Sequence, residues 1–259
     1  RIVTENSLLA MPETGIGLFP DVGGGYFLSR CPGFTGEFLG LTGQVIKSAD
    51  AIALGLADCF IESHLLVEIF DSSELISKMQ TFDNKNLQKQ SELQSILLDQ
   101  LTDINYCFSA KNIHELFNRL NQLKSTWAAD VISLLEKKSA LMLAVSFEQI
   151  KRARNMTLAE DLIMERNLVR HCFATLHLKR LGASTETVEG IRALAIDKDH
   201  LPKWQPDHLN GVTEEMVHGF FKSPWPDPFH PWHYEPLLLL MLWQHWLFTA
   251  RKTRCGYFV

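Results

Sequence analysis

The apolar positions change rhythm along this chain, and the change divides it. From Arg1 to about Ile61, short apolar runs alternate with glycine-punctuated segments, the pattern of strands and short helices. Arg1-Ile2-Val3-Thr4 reads as a strand. Helices are predicted over Val22–Arg30, stopped by Cys31-Pro32-Gly33, over Phe34–Thr42, closing at Gly43, and from a capping Ser48 up to Gly55. From about His64 to Phe173 glycine is absent, and Leu, Ile, Gln, Lys and Glu recur at helical spacing. This region predicts helices over His64–Gln80, Asn86–Thr102, Asn112–Leu123, Trp127–Lys137, Leu141–Arg152 and Thr157–Phe173. Asn112 with Glu115, and Thr157 with Glu160, place an acid three residues after a cap, as a capping box requires. Gly182–Ala195 holds a further helix, followed by a polar loop over residues 196–204. The charges Glu165, Arg166 and Arg170 read as a solvated face.

With 259 residues and 46% hydrophobic side chains the chain can bury a substantial core. A net charge of -5 with interspersed signs gives no broad basic field, which disfavours nucleic acid as a partner. The five cysteines are scattered and form no C-x-x-C pair, so they read as reduced, mostly buried thiols. His64, His114, His171 and His177 are isolated on helical patterns and read as surface or satisfied core histidines. No serine or cysteine sits in a recognisable nucleophile elbow.

Candidate chemistry concentrates in Ala10-Met11-Pro12-Glu13-Thr14-Gly15-Ile16-Gly17-Leu18-Phe19-Pro20-Asp21-Val22-Gly23-Gly24-Gly25-Tyr26-Phe27. Two carboxylates lie in an otherwise apolar, glycine-rich stretch, a setting that shifts a carboxylate's pKa. Pro12 and Pro20 bracket the turn between the acids, so the stretch reads as strand, rigid turn and helix start. Asp21 also suits a helix N-cap, a role without chemistry. Glu13 has no such alternative, because a carboxylate between Pro12 and an apolar run is expensive to bury without a partner.

Met11-Pro12-Glu13-Thr14-Gly15-Ile16-Gly17-Leu18-Phe19-Pro20-Asp21-Val22-Gly23-Gly24 resembles the active-site signature of the 3-hydroxyisobutyryl-CoA hydrolases, a branch of the crotonase (enoyl-CoA hydratase/isomerase) superfamily. Further matches are Ile104–Ser109, Met164-Glu165, Val188–Ala193, Ile196–Asp199 and Pro202-Lys203-Trp204, so the resemblance runs from Arg1 to about Lys222. It implies an α/β chain: the C-terminal part of a crotonase (ClpP-like) β-β-α superhelix over residues 1–63, with Cys59-Phe60-Ile61 as the last strand of the core, then a largely α-helical region over 64–222. It implies hydrolysis of the 3-hydroxyisobutyryl-CoA thioester in valine catabolism, with Glu13 as nucleophile or general base and Asp21 as the second acid. Coenzyme A would enter as part of the substrate, with no separate cofactor and no metal. Gly23 and Gly24 would lie under the acyl group. Lys198 and Lys203 are candidates for a phosphate contact, or are simply solvated. An enoyl-CoA hydratase or isomerase, and a non-catalytic structural protein of a mitochondrial ribosome, are the competing readings. The expected compartment is the mitochondrial matrix in a eukaryote and the cytoplasm in a bacterium. A homo-oligomer is left open.

In the superfamily a half-domain carrying an oxyanion-hole turn precedes the signature. The chain is therefore expected to be truncated at its N-terminus and to turn over little on its own. Residues 223–259 match nothing in the family, and a frame change or read-through is the expected origin. The apolar run Pro236–Ala250 falls short of the roughly 20 residues of a membrane span. His230, His233 and His245 lack the spacing of a zinc site.

Overall fold

The computed structural model describes residues 1–66 and 95–225. The chain divides into two compact units, Arg1–Phe221 and Lys222–Val259. Most of the second unit, and with it the tail reading, lies outside the described residues, as do most of the predicted helix His64–Gln80 and the first part of Asn86–Thr102.

Strand β1 (Ile2–Val3) pairs in parallel with β4 (Cys59–Phe60), Ile2 opposite Cys59. Strand β2 (Leu8–Leu9) pairs antiparallel with β3 (Ile46–Lys47), Leu9 opposite Ile46. Strand β1 follows the apolar run that predicted it, and β4 falls where the family resemblance puts the last strand of the core. Strand β3 had no such signal, because its alternation is only two residues long.

Helix α1 is Gly24–Leu28, α2 Thr35–Thr42 and α3 Ser48–Ala53. Helix α1 starts two residues later than predicted because Val22 and Gly23 hold φ +53° and +83°, in the left-handed region. The N-cap of α3 is Lys47, and Ser48 turns its hydroxyl to the Thr4 carbonyl instead of capping. The helical region continues with α4 (Ile96–Asp99), α5 (Leu101–Phe108), α6 (Ile113–Leu123), α7 (Thr126–Leu135), α8 (Ala140–Ala153) and α9 (Leu158–Phe173). The Thr157–Glu160 capping box is complete, with Thr157 N–H donating to Glu160 Oε2 at 2.7 Å. Asn112 accepts from Glu115 N–H, but Glu115 returns its carboxylate to Lys111 N–H, one residue earlier than a capping box. Helix α10 is Glu186–Ile191, running into a π turn at Arg192–Ile196, and α11 is Glu214–Phe220. Helix α11, capped by Thr213, was not foreseen.

Helices α2 and α8 form the spine. Every residue of α2 is buried, including Glu37, which pairs with Arg154 at 2.7 Å just past the end of α8. Phe38, Leu41, Phe108, Leu141 and Val145 are fully covered around this contact.

Helix α10 rides on the turn at residues 13–16. The contact is backbone on backbone: a Cβ on Gly190 would stand 2.2 Å from the Ile16 carbonyl oxygen, and one on Gly17 2.4 Å from that of Glu186. Thr187 Oγ1 adds a hydrogen bond to the Gly17 carbonyl at 2.6 Å. Neither backbone can yield without moving the turn, so Gly190→Ala should destabilise the protein by about 1 to 3 kcal/mol, read by urea unfolding.

Candidate active site

Glu13 opens a 3₁₀ turn, Glu13–Ile16, after Pro12. Three bonds fix the turn: Gly15 N–H to the Pro12 carbonyl at 2.8 Å, Leu18 N–H to the Glu13 carbonyl at 3.0 Å, and buried Thr14 Oγ1 to the Leu41 carbonyl at 3.1 Å. The Glu13 carboxylate is half-buried, and its Oε2 is buried without a hydrogen-bond partner. Burial raises its pKa above the ordinary carboxylate value, and the nearby charge of Asp21 raises it further. The residue's own N–H and the ammonium of Lys138 act the other way.

Asp21 follows Pro20 and lines an apolar cavity of about 440 Å³, with Leu8, Met11, Phe27, Gln44 and Ile46 around it. Glu13 is not among the lining residues, so its link to Asp21 is electrostatic rather than a shared wall. Asp21 does not cap α1. The N-cap is Gly23, no side chain of the segment closes it, and Asp21 contributes only its carbonyl, to Gly24 N–H at 2.8 Å.

The capping comes from 142 residues away. Glu165 of α9 accepts from Gly23 N–H at 2.9 Å and Gly25 N–H at 3.3 Å, and Asp161 accepts from Tyr26 N–H at 2.9 Å. Gln149 of α8 bonds the Pro20 carbonyl at 2.7 Å from the same side. The solvated face expected for Glu165 is thus corrected: Glu165 and Asp161 are buried, while Arg166 and Arg170 are exposed. Burial raises both carboxyls, Asp161 raises Glu165 further, and the backbone N–H groups of Tyr26, Gly23 and Gly25 act the other way. Asp161 Oδ1 is buried without a hydrogen-bond partner. A signal for this existed in the sequence. Asp161, Glu165, Leu168 and Cys172 recur at helical spacing, so the two acids occupy the apolar stripe of α9.

The glycines are placed close to this network. Gly24 lines the cavity, and a Cβ there would meet Met11 Cε at 2.8 Å. A Cβ on Gly25 would stand 2.5 Å from Asp161 Oδ1. The N–H groups of Gly23, Gly24 and Gly25 are all engaged within the protein. Lys198 and Lys203 sit on the exposed loop after α10, away from the Asp21 cavity lining. Arg192 organises that loop through Glu189, Asp197 and Asp199 at 2.6 to 2.9 Å, and Lys203 N–H donates to Glu189 at 2.7 Å. Cys31, Cys107 and Cys172 are buried, their thiols pushed up to about 12, 11 and 12 by burial. His114 and His177 face the carbonyls of Val212 and Met216. Among the described residues no group of three ligands could hold a metal ion.

A family model described as enoyl-CoA hydratase/isomerase matches residues 1–221. The probable 3-hydroxyisobutyryl-CoA hydrolase 2 of Arabidopsis thaliana is 40% identical over 233 residues, 86% of this chain and 60% of the relative. The mitochondrial 3-hydroxyisobutyryl-CoA hydrolase of Homo sapiens is 38% identical over 232 residues, 86% of this chain and 58% of the relative. The chain therefore spans about 60% of the length of these curated relatives. Among solved structures, an enoyl-CoA hydratase from Rhodobacter sphaeroides 2.4.1 superposes with a TM-score of 0.71 at 30% identity, covering 86% of this chain and 62% of that one. A carnitinyl-CoA dehydratase from Mycobacterium thermoresistibile gives 0.69 at 30% identity, covering 88% and 62%.

Two outcomes test the local physics. The raised carboxyls of Glu165 and Asp161 hold a proton that the unfolded chain has lost, so this pair contributes its full stability only below the ordinary carboxylate range. That contribution falls as pH rises from about 4.5 towards 8. Glu165→Gln should flatten the slope of unfolding free energy over this window, as measured by urea titrations at several pH values. Val22 is 78% exposed and strained at φ +53°, so Val22→Asn should gain roughly 1 kcal/mol in the same assay, because Asn tolerates that region.

Proposed function

Because the chain belongs to the enoyl-CoA hydratase/isomerase family, we propose that it carries the acid–base residues of a site that hydrolyses 3-hydroxyisobutyryl-CoA to free coenzyme A and 3-hydroxyisobutyrate. The observation that carries the reading is Glu13: a half-buried carboxylate whose Oε2 lacks any partner, raised by burial and set beside the charge of Asp21. Buried polar atoms are rarely left in that state except where a ligand or reaction completes them. The similar hydrolases of Arabidopsis thaliana and Homo sapiens support the choice of thioester.

As general base, Glu13 takes a proton from water while the water oxygen bonds to the thioester carbon. As nucleophile, it bonds to that carbon itself, and water then opens the acyl intermediate. In both cases the C–S bond breaks and the departing thiolate receives a proton. Asp21, free of capping duty and facing the apolar cavity, orients the water or binds the 3-hydroxyl of the acyl group. Gly23 and Gly24 let the backbone lie close under that group. Their own N–H groups are taken, so polarising the carbonyl is not their task. Lys198 and Lys203 are proposed contacts for the coenzyme A phosphates. No separate cofactor is needed. Mitochondria are the proposed compartment for a eukaryotic chain, by analogy with the human relative. No helix of the described residues is long and apolar enough to cross a membrane.

The test is release of free thiol from 3-hydroxyisobutyryl-CoA by protein expressed from its full reading frame. Glu13→Gln should lower kcat/KM by at least about 100-fold, and Asp21→Asn by about 10-fold or more. The wild-type rate should rise with pH through the raised Glu13 value, because the carboxylate is the reactive form. Full turnover in Glu13→Gln, or faster hydration of crotonyl-CoA than hydrolysis of the hydroxyacyl thioester, would overturn the assignment.

A further inference from the structure

Asp21 enters a backbone excursion that its own segment does not sustain. Val22, the next residue, is β-branched yet holds φ +53°, and its side chain is exposed, so no packing of that side chain offsets the strain. Gly23 follows at φ +83°. Among the described residues Asp21 bonds through its carbonyl, to Gly24 N–H, and no side-chain partner steadies its carboxylate in the cavity wall. The placing of that carboxylate is therefore set by the peptide groups on either side of it.

Both sides are held, and from two helices. On the N-terminal side Gln149 Nε2 of α8 donates to the Pro20 carbonyl at 2.7 Å, and on the C-terminal side Glu165 Oε2 of α9 accepts from Gly23 N–H at 2.9 Å. The two holders also meet: the same Gln149 nitrogen donates to Glu165 Oε1 at 3.4 Å, the oxygen that takes Gly25 N–H. Both side chains are buried, so water does not compete for these bonds. Pro20 has little room to slide, because a Cβ on Gly24 would stand 3.0 Å from its Cβ and one on Gly40 of α2 3.3 Å from its Cγ. Gly25 lets the holders come close: a Cβ there would lie 2.5 Å from Asp161 Oδ1 and 3.0 Å from Gln149 Nε2. Farther along, Arg30 Nη1 ties the end of α1 to the Ala153 carbonyl of α8 at 3.1 Å. Packing alone does not account for these polar side chains. Gln149 Oε1 and Asp161 Oδ1 are buried without partners, a cost that apolar residues of the same shape would avoid.

We infer that Gln149 and Glu165 form a clasp that positions Asp21: bonded to each other and to the peptide groups flanking the Asp21–Val22 step, they hold the strained turn that keeps Asp21 in the cavity wall. They are positioning residues and act through Asp21. The functional part of the role rests on Asp21 serving the proposed hydrolysis. The clasp itself does not require turnover.

The experiment follows Val22 in the full chain by NMR, through its three-bond amide–Hα coupling and its Cα and Cβ shifts, which report φ. In Gln149→Met and in Glu165→Leu, Val22 should leave the left-handed region, whereas Glu165→Gln, which keeps an acceptor for Gly23 N–H, should hold it there. Gln149→Asn, one carbon too short for the Pro20 carbonyl, serves as the second variant should Gln149→Met not fold, and should show the same change. Hydrolysis of 3-hydroxyisobutyryl-CoA is measured in parallel. Each variant that opens the clasp should lower kcat about 10-fold or more with KM changed by about threefold or less. That loss should vanish when the same substitution is made in Asp21→Asn, because the clasp acts through the Asp21 carboxylate. An unmoved Val22 in a folded clasp-opening variant overturns the inference, as does an equal loss of kcat with and without the carboxylate. A moved Val22 in a chain whose wild type does not hydrolyse the thioester supports the clasp and counts against the activity alone.

Discussion

The capping of α1 by Glu165 is the interaction on which the candidate site depends. A helix begins with N–H groups that its own turns cannot satisfy, and α1 begins in a buried, side-chain-free run of three glycines. Only an acceptor from elsewhere can meet those donors. Glu165 and Asp161 do so from α9, with the positive end of the helix backbone facing them. Because they take this role, Asp21 is released from it and turns to the cavity. The same anchoring holds Val22 in a backbone region that a β-branched residue avoids, so the chain turns sharply between the second acid and the helix.

The buried acids of this protein are informative by contrast. Glu37 is neutralised by a bidentate arginine, Glu186 is surrounded by a hydroxyl, a backbone N–H and Arg180, and Glu165 and Asp161 accept from three backbone donors. Each of these pays for its desolvation with local partners. Glu13 differs: among the described residues no hydrogen-bond donor meets its buried Oε2, and no arginine pairs with it. The proposed reading of Glu13 rests on that difference.

Helix α10 gives the arrangement its rigidity. It meets the Glu13 turn through two glycine-mediated backbone contacts, and through Glu186 it reaches the Ser139 cap of α8. The turn and the start of the central helix are thereby coupled to one element more than 170 residues downstream of Glu13. The downstream matches Val188–Ala193 acquire a physical meaning: Gly190 is where the two backbones touch.

The sequence by itself determined the local items. Helical periodicity and caps located α6, α8 and α9 within one or two residues, and the proline-bracketed stretch drew attention to both candidate acids, because these signals depend only on neighbours along the chain. What lay beyond it were the facts set by contacts distant in sequence. Asp21 read equally well as a cap, since nothing local says that Glu165 supplies the acceptor. Glu165 read as solvated, since its burial follows from α9 lying against glycines that offer no side chain. Strand β3 is paired only because Leu8–Leu9 lies alongside it. Tertiary packing decided these points because burial and charge are properties of what surrounds a side chain, and those surroundings exist only once the chain has folded.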